Sequence, residues 1–121
     1  MSDSPAAAPA RILYCRCAYA QVVPAEVKDA VLAGLAESGA PFEAVPDLCE
    51  MAARRDPHLK VLADAPGGLR IAACWPRAVR GLFALADAPL PEAGVEILNM
   101  RTDAAATVLA GLAPAAAETA P

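Results

Sequence analysis

The segment Leu69-Arg70-Ile71-Ala72-Ala73-Cys74-Trp75-Pro76-Arg77 decides the fold. Its first part is a short apolar run entered from a Pro66-Gly67-Gly68 turn, the pattern of a buried strand. Its second part opens on proline, which suits the first turn of a helix because no amide partner is needed there. Val79, Leu82, Phe83 and Ala86 then recur at helical spacing. A strand running straight into a helix is the repeating step of a parallel α/β sheet.

The same step repeats on either side. Towards the amino terminus, Arg11-Ile-Leu-Tyr-Cys15 is a compact strand, and Pro24 and Glu26 suit the start of a helix. Val27, Val31 and Leu35, with Ala30 and Gly34 beside them, form its buried face, and Gly39 supplies the stop. Phe42-Glu-Ala-Val45 is a second strand leading into Asp47-Leu48-Cys49, and a modest helix is expected from about Pro57 to Ala65. Towards the carboxyl terminus, Val95-Glu-Ile-Leu98 is a fourth strand. Thr102 or Asp103 is placed to cap a last helix that buries Val108, Leu109 and Leu112. The expected class is α/β: a small open, mainly parallel sheet of about four strands with helices on both faces, Rossmann-like or flavodoxin-like, with right-handed crossovers. Residues 1–10 and 113–121 are rich in Pro and Ala and are expected to be a disordered leader and tail around one domain, 11–112.

A chain of 121 residues suits one core. The hydrophobic fraction is 57%, but much of it is alanine, and two Phe, two Tyr and one Trp leave Leu, Val and Ile to fill the interior. A net charge of −4, a pI near 4.8 and scattered arginines argue against nucleic-acid binding. The first residues lack the basic and apolar regions of a signal peptide, and no run reaches the ~18 apolar residues of a membrane span. A cytoplasmic location is therefore expected. There, four cysteines serve metal or redox chemistry more readily than structural disulfides.

Cys15 and Cys17 fall at the carboxyl end of the first strand, Cys49 just past the second and Cys74 at the end of the third. All carboxyl ends of a parallel sheet share one edge, where such folds bind ligands. The topology thus brings Cys15, Cys17, Cys49 and Cys74 to one rim as a four-thiolate site. Iron–sulfur clusters accept such irregular spacings. The alternatives are a Cys₄ zinc site, though only the tight Cys15-Arg16-Cys17 pair is close in sequence, or cysteines that merely fill core space. A C-x-x-C motif for thiol–disulfide exchange is absent.

With these residues in view, the chain resembles the amino-terminal iron–sulfur domain of heterodisulfide reductase, the domain that opens the flavoprotein of that complex. That domain carries C-x-C-G, a lone cysteine, A-A-C-S-P-[RK] and a segment near N-I-R-E. Here stand Cys15-Arg16-Cys17-Ala18, Asp47-Leu48-Cys49, Ala72-Ala73-Cys74-Trp75-Pro76-Arg77 and Asn99-Met100-Arg101-Thr102, a similarity over about residues 11–102. The resemblance implies a [4Fe–4S] cluster on Cys15, Cys17, Cys49 and Cys74. Ala18 stands for the usual glycine and Trp75 for the usual serine, and neither change removes a ligand. No G-x-G-x-x-G is present and no cysteines remain for further clusters, so the chain looks like the cluster domain alone, without flavin.

A cluster held by four thiolates suits outer-sphere electron transfer. Backbone amides near Cys17 and after Pro76 are the expected tuners, and Arg16 and Arg77 either offset cluster charge or are plain surface arginines. His58 is expected to be an exposed helix residue, and Tyr14 and Tyr19 are expected to pack. Asp47, Glu50 and Asp64 show no spacing for paired acid–base work, and no nucleophile–base pair or phosphate loop is visible. No enzyme active site is expected in the chain alone. Three functions stand open: an electron-transfer module on a larger redox protein or oxidoreductase complex, a redox- or oxygen-sensing regulatory component, and a zinc-stabilised interaction domain.

Overall fold

Four strands, β1 (Arg11–Cys15), β2 (Glu43–Val45), β3 (Leu69–Ala73) and β4 (Val95–Asn99), build the sheet in a computed structural model that describes residues 11–18 and 23–112. Between and after them lie α1 (Ala25–Ser38), α2 (Leu48–Ala53), α3 (His58–Ala63), α4 (Pro76–Leu85) and α5 (Ala105–Leu112). Every strand pair is parallel and the spatial order is β2-β1-β3-β4. The α/β class read from the sequence is the one observed. The leader, the tail and Tyr19 lie outside the described residues.

Burial explains why the two inner strands read as continuous apolar runs. Leu13 on β1 sits level with Ile71 on β3, which is level in turn with Ile97 on β4. Leu13, Ile71 and Ala72 are fully buried, as strands covered on both faces must be. Helices α1 and α5 pack together, while α4 packs with α2 and α3. This division follows from the strand order: the crossover from β1 to β2 runs one way across the sheet, and those from β2 to β3 and from β3 to β4 run the other. A single crossover hand then sends them to opposite faces.

Local chemistry sets the element ends. Extended Pro24 precedes α1, and its carbonyl accepts from the Val27 and Lys28 amides. Gly39, at φ 76, ends the same helix in the left-handed region. Val31 and Leu35 form its buried stripe, with Val27 partly buried against the core. At the opposite edge of the sheet from the cysteines, Gly68 at φ +95 lies so close to Gly94 that an added Cβ would sit 2.3 Å from the Gly94 carbonyl oxygen. That carbonyl accepts from the Leu69 amide at 2.8 Å, tying the start of β3 to the start of β4.

Four local expectations need correction. Asp47-Leu48-Cys49 is not a plain exit from the second strand but the start of helix α2, too short for apolar periodicity to announce. The helix expected to about Ala65 ends at Ala63, because Asp64 and Ala65 lead into the Pro66-Gly67 turn. Cys74 lies one residue past β3, where the chain turns into α4. Neither Thr102 nor Asp103 caps α5: the first helical hydrogen bond runs from the Val108 amide to the Ala104 carbonyl, while the Thr102 hydroxyl donates to Asp103.

Candidate functional site

Crossover direction reverses between β1 and β3, and the crevice outside the carboxyl ends at such a reversal is where open α/β sheets take ligands. Cys15 ends β1, Cys17 lies two residues on, and Cys74 follows β3. Cys49 arrives from the side as the second residue of α2. All four, none of them in a disulfide, line one cavity, together with Asp47 and the apolar Leu48, Ala73, Val79 and Leu82. The cavity they enclose has a volume of ≈ 20 Å³, room for about one water molecule, and it opens to solvent on one side.

Cys15 is 6% exposed, and its sulfur accepts the Leu48 amide at 3.4 Å. Burial pushes its thiol up from an ordinary 9.0 to about 11; the Leu48 and Cys17 amides pull the other way, and the nearby Asp47 and Cys17 charges add to the rise. Cys17 is equally buried and adopts φ 53, an uncommon conformation for a residue with a side chain. The amides of Arg16 and Ala18 reach consecutive carbonyls, those of Val45 and Pro46, both at 2.9 Å. A regular parallel ladder would skip one residue there, so the left-handed turn at Cys17 absorbs a bulge. Lys28 braces this bulge from α1: its Nζ donates to the Arg16 carbonyl at 2.9 Å, and its own carbonyl accepts the buried Tyr14 hydroxyl at 2.8 Å. Ala18 stays outside the left-handed region, so its side chain meets no backbone obstacle.

Asp47 is 1% exposed, and its carboxylate accepts the Glu50 amide at 3.0 Å, capping α2. It places negative charge beside two thiols. Cys49 is exposed; desolvation still raises its thiol pKa, followed by the charges of Asp47, Cys74 and Cys17. Those last two couplings tie Cys49 to its companions across the cavity. Sequence reading misses both Asp47 and the Leu48 amide. The signal is present in Asp47-x-x-Glu50, an acid cap with an acid three residues later.

Cys74 is half-buried, and Trp75 after it is extended, as a residue before proline must be. The indole is 47% exposed, with the Arg101 guanidinium 5.5 Å from its centroid. Arg101 is placed by Asn99, which is buried: the Asn99 side chain accepts the Arg101 amide at 2.9 Å, and its carbonyl accepts from Thr102 and Asp103. The closing Asn99–Thr102 motif is thus a turn at the same rim. Arg16 and Arg77 are exposed there.

Other candidates lie elsewhere. His58 is half-buried rather than exposed and pairs with Glu43 of β2; Glu50 pairs with Arg54, and Asp64 with Lys60. Among the described residues, no three His, Cys, Asp or Glu side chains meet closely enough to hold a single metal ion. The donor set is soft, no basic side chain forms the wall, and the Leu48 amide already donates to one sulfur. These features fit a sulfur-bound cluster. Among the described residues no helix is long and apolar enough to cross a membrane. Comparison with protein-family models, curated proteins and solved structures finds no match to the chain.

Proposed function

We propose that Cys15, Cys17, Cys49 and Cys74 hold one [4Fe–4S] cluster, and that the chain is a cytoplasmic electron-transfer module serving a larger redox protein or oxidoreductase complex. In this reading it is related to the amino-terminal iron–sulfur domain of heterodisulfide reductase. One observation carries the reading: four thiols, spread over 60 positions of sequence, line a single cavity at the reversal point of the sheet. Zinc is favoured less. Its Cys₄ sites usually rest on paired C-x₂₋₄-C knuckles, and here only the tight Cys15-Arg16-Cys17 pair is close in sequence.

When bound, such a group supplies electron transfer at a potential set by its charge, hydrogen bonds and exposure. The protein's own part is to ligate and to tune. The Leu48 amide, donating to the Cys15 sulfur, favours extra electron density there, and the Asp47 carboxylate opposes it. Each thiol must lose its proton to ligate, so loading releases protons and weakens as pH falls. With four protein ligands, no position is reserved for a substrate. Exposed Cys49 and half-buried Cys74 mark the side from which electrons enter and leave.

The test is reversible reduction. Protein purified without oxygen is expected to show a broad visible absorption that bleaches with dithionite and returns on reoxidation, with the far-ultraviolet circular dichroism unchanged. A colourless protein that takes up no iron would rule the reading out. A helix content that changes with the redox state would favour the sensing role.

A further inference from the structure

The four thiols are not held alike. Cys15 ends an inner strand paired on both sides, is 6% exposed, and its sulfur carries an amide hydrogen bond. Cys17 is equally buried, in a bulge fixed by the Val45 and Pro46 carbonyls and braced by Lys28. Cys74 is half-buried between the inner strand β3 and helix α4. Cys49 differs on every count. It is exposed, it sits in the first turn of a six-residue helix, and that helix hangs from β2, an edge strand of three residues. A helix this short gains little stability of its own.

We infer that Cys49 is the replaceable corner of the quartet: Cys15, Cys17 and Cys74 form a permanent tripod, and a small external thiol can take the position that Cys49 leaves. This inference rests on the cluster reading above and adds a ligand-exchange site to it. In the exchange, the bond from Cys49 sulfur to iron breaks and one from the incoming sulfur forms. The proton of the incoming thiol passes to the Cys49 thiolate, and no electron changes hands. Access follows from exposure: solvent reaches the Cys49 corner directly, while Cys15 and Cys17 are each only 6% exposed.

The experiment compares the wild-type chain with Cys49→Ala, Cys15→Ala and Cys17→Ala, each reconstituted anaerobically with and without 2-mercaptoethanol, reading iron and acid-labile sulfide after desalting. Circular dichroism checks that each chain is folded. Cys49→Ala is expected to keep more than half of the wild-type iron, and 2-mercaptoethanol to raise it towards the wild-type value. Cys15→Ala and Cys17→Ala are expected to keep less than a tenth of the wild-type iron, with no recovery in the thiol. A second measurement needs no variant: iodoacetamide on the loaded wild-type chain is expected to label Cys49 first, with iron retained. The inference is overturned if Cys49→Ala loses iron as completely as Cys15→Ala and the thiol restores none, or if labelling of Cys49 empties the site. A wild-type chain that takes up no iron overturns the cluster reading and, with it, this one.

Discussion

Burial holds the Cys15 thiol protonated well into the alkaline range, with a folded value of about 11 against an ordinary 9.0. The sign of its effect on stability follows directly. Below about pH 9 the thiol is neutral in folded and unfolded chains alike and the contribution is constant. Between about 9 and 11 the unfolded chain gives up a proton that the folded chain keeps, so stability falls as pH rises. The loss amounts to about 3 kcal/mol by the top of that window. Urea unfolding of cluster-free protein should therefore show a midpoint that drops across it, and Cys15→Ser should flatten the drop. A wild-type midpoint that stays level would mean that the thiol is not buried as described. The same residue explains a limit of sequence reading. Cys15 is visible as a ligand in the sequence, but the Leu48 amide on its sulfur and the Asp47 charge beside it depend on how α2 returns to β1.

Among the elements, those with a repeating apolar stripe or a proline start are legible: β3 running into α4 and the long α1 stand within a residue or two of expectation. Helix α2 is not, because six residues make less than two turns and its start is set by one capping carboxylate. Two glycines separate backbone need from chance. Gly68→Ala would force a side chain into a left-handed backbone and against the Gly94 carbonyl, and is expected to cost about 2 kcal/mol or more without changing iron content. Gly81→Ala in α4 meets open space and should stabilise by about 0.5–1 kcal/mol. Thermal unfolding of both variants checks the pair. A neutral Gly68→Ala would place the β3–β4 entry differently from the structure.

For the molecule as a whole, the convergence of four scattered cysteines follows from a parallel sheet, because each lies at or within a few residues of a strand's carboxyl end and all those ends share one rim. What strand direction leaves out is the difference between corners. Cys15 and Cys17, after the inner strand β1, are buried, Cys74, after the inner strand β3, is half-buried, and Cys49, which follows the edge strand β2, is exposed. Trp75 and Arg101, far apart in sequence, meet at the same rim for the same reason. The central claim is that the rim holds a cluster, and it is tested most directly by iron and acid-labile sulfide content, with a visible spectrum, on protein purified without oxygen. About four iron and four sulfide per chain are expected. One zinc with no sulfide would contradict the claim while leaving the fold intact.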